Sequence, residues 1–274
     1  MYDVRVLADG IHFGEGARWR DGKLWLSEIF ENRVITVTES GEIEVVCELP
    51  DKPSGLGWLP DGRLLIAGMQ SRCVWRLDPG GPVVHADISG VAVKLLNDMV
   101  VDGRGNAYVG STGVDYYTAP TDKQLANVVL VRPDGSFDLV ADGVAAPNGP
   151  LVTPDNRTYI VSESNADRVI AFDINTDGTL ANRRVFAEVH HPDGICLDSE
   201  GALWVASPHK QCCLRIKEGG EVTDRVERPH SVVCCVLGGA DLKTLFMSRV
   251  AEGSPLGPGA YSVVETLRVP VPGV

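Results

Sequence analysis

The chain has 274 residues, of which 44% are hydrophobic, and its 25 Lys and Arg against 37 Asp and Glu give a net charge of −12. This acidic balance argues against nucleic acid and anionic membranes as partners, because both repel a negatively charged surface. The length alone is compatible with two ordinary domains or with one large β domain.

Neither a secretion signal nor a membrane span is predicted. The first nine residues are interrupted by charges, and no run approaches the roughly 18 apolar residues of a spanning helix. The seven cysteines include two adjacent pairs and no C-x-x-C, which fits neither a disulfide framework nor a structural zinc site. We therefore expect reduced thiols and a cytoplasmic location.

A turn led by Asp and followed by a strand-type run recurs six times along the chain. The copies begin at Asp21, Asp61, Asp102, Asp155, Asp198 and Asp241, with spacings of 40, 41, 53, 43 and 43 residues. A second hairpin follows in most units, so that each unit contains four strands. Units of about 46 residues are typical of propeller blades. The sequence predicts an all-β, six-bladed propeller with four-stranded blades, forming a single domain over residues 1–274.

The two ends of the chain complete this prediction. The sixth unit is one strand short, since only residues 261–269 read as a strand after its hairpin. The strand-like run 2–7 is left over at the other end, and pairing the two would close the ring and remove its open edges. The longest spacing contains an insertion, residues 113–120. This insertion is compatible with a substrate lid and equally with a purely structural loop.

Oxygen-bearing side chains recur where the innermost strand of each blade is expected to begin. Because these strands line the central channel, the residues just before them converge on one mouth of it. The side chains that share this position are Glu15, Asn97, Asp98, Asn148 and Asp193. Taken singly, each is an ordinary turn residue. Their common register across blades favours a hard cation such as Ca²⁺, Mg²⁺ or Mn²⁺.

The second strand of each blade returns to the same mouth and ends in an outer ring around it. This ring contains Ser111, His209 and Arg249, which we expect close to a bound substrate. For His209 the alternative is a solvated loop residue, and for Arg249 an ordinary surface ion pair.

Four motifs in chain order resemble the gluconolactonase/senescence-marker-protein-30/luciferin-regenerating-enzyme family. They are Glu15-Gly16-Ala17-Arg18-Trp19, Leu96-Asn97-Asp98, Pro147-Asn148-Gly149 and Pro192-Asp193-Gly194. The resemblance covers essentially the whole chain. It implies a six-bladed propeller whose single axial divalent metal is held by Glu15, Asn148 and Asp193, with Asn97 at the metal or the substrate. Calcium is the expected ion, with manganese, magnesium and zinc as alternatives.

The implied reaction is hydrolysis of a lactone, a cyclic ester. The metal polarises the carbonyl or activates a water molecule, and Asp193 is the candidate general base as well as a ligand. Two other hypotheses stay open: an isomerase or lyase acting on a metal-bound carbonyl, and a non-catalytic propeller that binds peptides or proteins. The sequence makes no prediction of oligomeric state.

One residue departs from the family pattern. Sugar-lactone members carry an arginine two residues before the asparagine at the position of Asn97, whereas this chain has Leu95. Leucine offers no hydrogen-bond donor for substrate hydroxyls. We therefore expect a lactone or ester that is less polar than a sugar lactone, unless Lys94 or Arg249 supplies the missing contact.

Overall fold

The computed structural model describes residues 2–119, 121–255 and 259–274. Its 24 strands form six antiparallel sheets of four strands each, and the sheets are arranged as a six-bladed β-propeller. The predicted fold class and blade composition are confirmed.

Each blade begins with a strand at the channel and continues outwards to an edge strand. Blade 1 contains β2 (Gly14–Arg20), β3 (Lys23–Glu28), β4 (Arg33–Val37) and β5 (Ile43–Glu48), and blade 2 contains β6 (Pro53–Trp58), β7 (Leu64–Gly68), β8 (Cys73–Asp78) and β9 (Gly81–Asp87). Blade 3 contains β10 (Leu96–Val101), β11 (Ala107–Ser111), β12 (Ala126–Val131) and β13 (Phe137–Val144), and blade 4 contains β14 (Pro147–Val152), β15 (Thr158–Glu163), β16 (Arg168–Ile174) and β17 (Leu180–Glu188). Blade 5 contains β18 (Ile195–Leu197), β19 (Leu203–Ser207), β20 (Cys212–Ile216) and β21 (Val222–Glu227), and blade 6 contains β22 (Val232–Gly238), β23 (Thr244–Val250), β24 (Ser262–Arg268) and β1 (Arg5–Ile11).

Helical structure is confined to three single 3₁₀ turns within the described ranges. They are η1 (Ile29–Glu31), η2 (Ser164–Ala166) and η3 (Pro208–Lys210). Each follows the second strand of its blade, on the side of the molecule where the predicted axial residues lie. Across the same ranges, no helix is long and apolar enough to cross a membrane.

The ring closes through the pairing of the first and last strands. Strand β1 runs antiparallel to β24, with Arg5 opposite Thr266 and Val6 opposite Glu265, which confirms the predicted closure. The N-terminal strand begins later than predicted, at Arg5 rather than residue 2. The reason is that Tyr2 packs against the core between blades 5 and 6, and its hydroxyl donates a hydrogen bond to Asp224 Oδ1 at 2.5 Å.

The hydrophobic core lies between neighbouring blades rather than in one central mass. Between blades 2 and 3, for example, the buried side chains of Leu65 and Val74 belong to the same cluster as Met99 and Val109. This arrangement follows from the strand pattern, because each sheet buries one face against the preceding blade and the other face against the following blade. The ring therefore depends on contacts between sheets to hold the innermost strands in register.

Serine hydroxyls at the ends of second strands connect one blade to the next. Ser162 Oγ donates to the backbone oxygen of Asp193 at 2.8 Å, and Ser248 Oγ donates to that of Gly14 at 2.7 Å. Ser27 Oγ makes the same contact with the backbone oxygen of Ser54. All three serines are almost completely buried. They fix the backbone of the innermost strand in the following blade, close to the channel mouth.

Candidate metal centre

The innermost strands of five blades share a β-bulge near the same mouth of the channel. The pairing register breaks between Glu15 and Arg18, Pro53 and Leu56, Leu96 and Met99, Asn148 and Leu151, and Val232 and Cys234. A bulge changes the direction in which side chains point. The expectation that the axial residues precede their strands is wrong for Glu15, Asn97, Asp98 and Asn148, which lie inside the strands at or beside the bulges. Asp193 does precede its strand, by two residues.

The backbones of adjacent innermost strands also touch at this level. Gly149 has a φ of +49°, and a Cβ built on it would lie 2.5 Å from Gly194 Cα and 2.6 Å from the oxygen of Asp193. Only glycine satisfies both the left-handed backbone and the close approach. Contact between blades 4 and 5 therefore requires glycine at this position.

Asp193 is held by its backbone, while one of its two carboxylate oxygens lacks a hydrogen-bond partner. Its N–H donates to Ala206 O at 2.9 Å, and the side chain is about nine-tenths buried, with 9% exposed. Oδ1 is buried and accepts no hydrogen bond. Burial raises the pKa of Asp193 well above its usual range and the Glu15 and Asp98 carboxylates add to this rise, while a hydrogen bond with Asn148 opposes it. A buried, unpartnered carboxylate oxygen is unfavourable unless a cation or proton neutralises it.

Glu15 and Asp98 complete the acidic group at the axis. Burial raises the pKa of Glu15 to about 8, and the Asp98 carboxylate contributes to that rise. Burial also raises the pKa of Asp98, against the opposing charge of Arg18, whose Nη2 donates to Asp98 Oδ1 at 2.8 Å. Three carboxylates therefore share the site with one guanidinium, which leaves it two negative charges when all three are ionised.

Two asparagines supply neutral oxygens beside these carboxylates. Asn97 Nδ2 donates to Pro147 O at 2.9 Å, so its nitrogen is engaged with blade 4 and its Oδ1 stays available as an acceptor. Asn148 Oδ1 accepts from Gly149 N–H at 2.9 Å. In the parts of the chain that the structure describes, no group of three His, Cys, Asp or Glu side chains is arranged to hold a metal by itself. The axial set mixes carboxylate and amide oxygens, a donor chemistry that fits a hard cation.

The structure gives the outer-ring residues different surroundings. Ser111 is 1% exposed, and its hydroxyl donates to Asn127 Oδ1 at 2.7 Å within blade 3. Arg249 is paired through Nε with the buried Glu265 Oε1 at 2.7 Å. Both side chains are therefore committed to neighbours inside the protein, which argues against the predicted role of each in contacting substrate.

His209 is the exposed member of the outer ring. It lies in η3 and stacks on His191, with ring centroids 3.9 Å apart and ring planes 6° from parallel. Burial, with His209 as a second cause, lowers the pKa of His191. Because His191 lies two residues before Asp193, the stack places His209 beside the segment that carries the axial carboxylate.

Leu95 lies in an apolar cluster on the other flank of the mouth. It is 7% exposed and packs with buried Ile29 and Met69, and Phe30 and Tyr117 pack against this group. Its neighbour Lys94 pairs through Nζ with Asp122 at 2.6 Å. Sequence reasoning identified Leu95 alone, since the other members come from separate blades and share no motif.

The insertion extends from blade 3 toward the apolar cluster around Leu95. Its described part, residues 113–119, is held by Gln124 N–H donating to Gly113 O at 2.8 Å and by Asp115 Oδ1 accepting from Tyr117 N–H at 2.9 Å. Residue 120, the last of the predicted insertion, lies outside the described residues. Tyr117 packs against the apolar cluster that contains Leu95. The insertion therefore lies beside this flank of the mouth.

The chain is similar to known proteins over most of its length. Residues 13–251 match the family model described as SMP-30/gluconolactonase/LRE-like region. Regucalcin from Danio rerio is 33% identical over 165 residues, and the alignment covers 58% of this chain but only 55% of that protein. Pentonolactonase XacC from Haloferax volcanii is 28% identical over 90% of this chain and 85% of its own.

Two solved structures share the fold over the whole chain. The luciferin-regenerating enzyme aligns with a TM-score of 0.84 and 19% identity, covering 100% of this chain and 98% of its own. The protein described as calcium-binding regucalcin from Agrobacterium tumefaciens str. C58 aligns with a TM-score of 0.81 and 21% identity, covering 100% and 96%. At these identities the likeness establishes the architecture alone.

Proposed function

Because the chain belongs to the SMP-30/gluconolactonase/LRE-like family, we propose that it is a divalent-metal-dependent hydrolase that opens a lactone. The observation that carries this proposal is the buried, unpartnered Oδ1 of Asp193, placed among other carboxylate and amide oxygens at the mouth of the channel. Relatives named pentonolactonase and 6-deoxy-6-sulfogluconolactonase support the reaction class.

The proposed ligands of the metal are Glu15, Asn97, Asn148 and Asp193. Their all-oxygen chemistry favours calcium, with manganese and magnesium next, and zinc last because it prefers nitrogen and sulfur ligands. The name of the Agrobacterium neighbour, a calcium-binding regucalcin, supports the same choice. A divalent cation bound here supplies Lewis-acid polarisation of the ester carbonyl.

Asp193 is the proposed general base, accepting a proton from the attacking water at a carboxylate oxygen. Its backbone is fixed from both sides by Ala206 and Ser162, so the side chain is pre-oriented for this role. Residues 113–119 are proposed to cover the bound substrate, since Tyr117 packs against the apolar cluster around Leu95 at the mouth. Excluding water there would strengthen every electrostatic interaction in the site.

The proposed substrate is a lactone or ester with an apolar substituent. Leu95 and its apolar neighbours form one flank of the mouth. The two cations that could replace the missing arginine are both engaged, Lys94 with Asp122 and Arg249 with Glu265.

We propose that the propeller is one domain over residues 1–274 and acts in the cytoplasm on this small molecule, without nucleic acid or membrane partners. The free thiols favour a reducing compartment.

Calcium titration calorimetry of metal-stripped protein tests the metal centre. Wild type should bind one Ca²⁺, and Asp193→Asn should weaken binding by about 100-fold or more because it removes a charged ligand. Asp142→Asn is the matched control, since Asp142 is exposed on blade 3 and the substitution makes the same chemical change away from the axis. Absence of binding to wild type, or equal binding by the Asp193 variant, overturns the metal proposal.

A lactone panel tests the reaction. Metal-restored protein should open aliphatic or aromatic lactones faster than gluconolactone, and Asp193→Asn should abolish turnover at saturating metal. If calcium binds and no cyclic ester is opened with any metal, the hydrolase proposal fails while the metal centre stands. Isomerase or lyase chemistry would then be the hypothesis to test.

A further inference from the structure

Three cysteines meet at the boundary between blades 5 and 6, outside the proposed metal centre. In blade 5, Cys196 lies opposite Trp204 and Cys213 lies opposite Ala206, so the two cysteines occupy the same face of the sheet. Cys235 of blade 6 packs against that face in the same buried cluster. All seven cysteines of the chain are free thiols in this structure.

Two of these thiols are in van der Waals contact. Cys196 Sγ and Cys235 Sγ are 4.0 Å apart. The Cys235 thiol also lies against two backbone oxygens of blade 5, at 3.6 Å from Gly194 O and 3.5 Å from Trp204 O. A disulfide has an S–S distance of about 2.05 Å. A combined sulfur movement of about 2 Å would therefore join the innermost strands of the two blades.

One of the two thiols is accessible from the opposite end of the channel. A cavity of about 190 Å³ there is lined by Cys196 together with residues of the innermost strands of other blades, including Arg18, Val100 and Leu151. Cys196 is only half-buried, whereas Cys235 is 2% exposed. A small oxidant entering this cavity meets Cys196 first and finds Cys235 directly behind it.

We propose that Cys196 and Cys235 are a reversible oxidation site, which a hydroperoxide converts into a disulfide and which thereby weakens cation binding at the axis. The Cys196 thiol sulfur attacks the terminal peroxide oxygen and gives up its proton, the O–O bond breaks, and a sulfenic acid and, for hydrogen peroxide, water result. The Cys235 sulfur then displaces the sulfenic oxygen, forming the S–S bond and releasing a second water. The two thiols lose two electrons and two protons, which the peroxide takes up; a small thiol reductant reverses the reaction by exchange.

The link to the axis follows from what Cys235 contacts. Gly194, whose oxygen is in contact with the Cys235 thiol, directly follows Asp193, and a Cβ at Gly194 would lie 2.6 Å from Cys234 Cβ. Drawing the Cys235 sulfur toward Cys196 removes its contact with Gly194 O and strains this tight junction. This part of the inference rests on the proposed metal centre, whereas disulfide formation does not.

Hydrogen peroxide treatment of the folded, full-length protein tests the site. After thiol alkylation and digestion without reductant, mass spectrometry should find a peptide that joins Cys196 to Cys235, and titratable thiols should fall from the seven present by two. Cys196→Ser and Cys235→Ser should each abolish the cross-linked peptide. Cys73→Ser, which removes a buried thiol of blade 2, is the matched control and should leave it unchanged.

The outcomes separate the two parts of the inference. Absence of the cross-link in folded wild type, or cross-linking of another pair, overturns the oxidation site, even if a serine variant folds poorly. Calcium affinity of oxidised wild type should fall about 10-fold and recover on reduction, while Cys196→Ser shows no change after peroxide. An unchanged affinity in cross-linked protein overturns the coupling. Absence of calcium binding in reduced protein overturns the proposed function and leaves the cross-link measurable.

Discussion

Ionisation of Glu15 should make the metal-free protein less stable as the pH rises. Burial raises the pKa of this carboxyl from 4.5 to about 8 in the folded chain, so the folded state binds the proton more tightly than the unfolded state. The resulting stabilisation is fully present below pH 4.5 and is lost as the pH rises through about 8. At about 1.4 kcal/mol per pH unit, a rise of this size corresponds to a loss of roughly 5 kcal/mol across the interval, part of which comes from the neighbouring Asp98 carboxylate.

Urea unfolding of chelator-treated protein at about pH 5, 7 and 8.5 measures this loss. Glu15→Gln is the matched control, because its amide is similar in size and carries no charge at any of these pH values. As the pH rises, the free energy of unfolding of wild type should fall by several kcal/mol relative to that of Glu15→Gln. Saturating calcium should remove most of that trend in wild type, since a bound cation favours the ionised carboxylate.

Two results would refute this reasoning. If the difference between wild type and Glu15→Gln is constant from about pH 5 to 8.5, the Glu15 carboxyl titrates near its ordinary pKa and is not destabilised by burial. If the trend is present but calcium leaves it unaltered, Glu15 is buried and strained for another reason and is not a ligand.

Three further substitutions give defined outcomes. Leu95→Arg should raise the ratio of kcat/KM for gluconolactone over an aliphatic lactone by about 10-fold or more, and an unchanged ratio contradicts the proposed role of the apolar flank. Gly55→Ala places a Cβ 2.0 Å from the backbone nitrogen of Met99 and should lower the free energy of unfolding in urea by about 3 kcal/mol or more. Its control is Gly80→Ala, whose Cβ meets nothing within 4 Å and whose stability should differ little from that of wild type. Glu265→Gln leaves two arginines without the buried carboxylate that they share and should cost about 3–5 kcal/mol; a loss below about 1 kcal/mol would mean that solvent already screens this cluster.

The architecture was predictable because its signals are local. Each Asp-led turn is a few residues long. Counting six copies, the last of them one strand short, with one strand-like run left over at the start of the chain, is sufficient to predict the closed ring. The bulges were not predictable, since they arise where adjacent innermost strands crowd together at the axis. For the same reason, the sequence placed Asn97 and Asn148 before their strands rather than inside them.

Side-chain partners distant in sequence account for the remaining differences. The hydroxyl of Ser111 is engaged by Asn127, 16 residues away, and the guanidinium of Arg249 by Glu265, also 16 residues away. Neither pairing leaves a motif in the sequence. The thiols of Cys196 and Cys235 are separated by 39 residues and meet only because two blades pack face to face.

The buried serines that connect successive blades have a consequence for how the metal centre can be assembled. The backbone of Asp193 is fixed by Ser162 of the preceding blade, and that of Gly14, next to Glu15, by Ser248 of the last blade. The spacing of the proposed ligands is thus set by the circumference of the ring and not by any single sheet. Calcium affinity would therefore fall when any junction between blades loosens, even a junction that lies far from the ion.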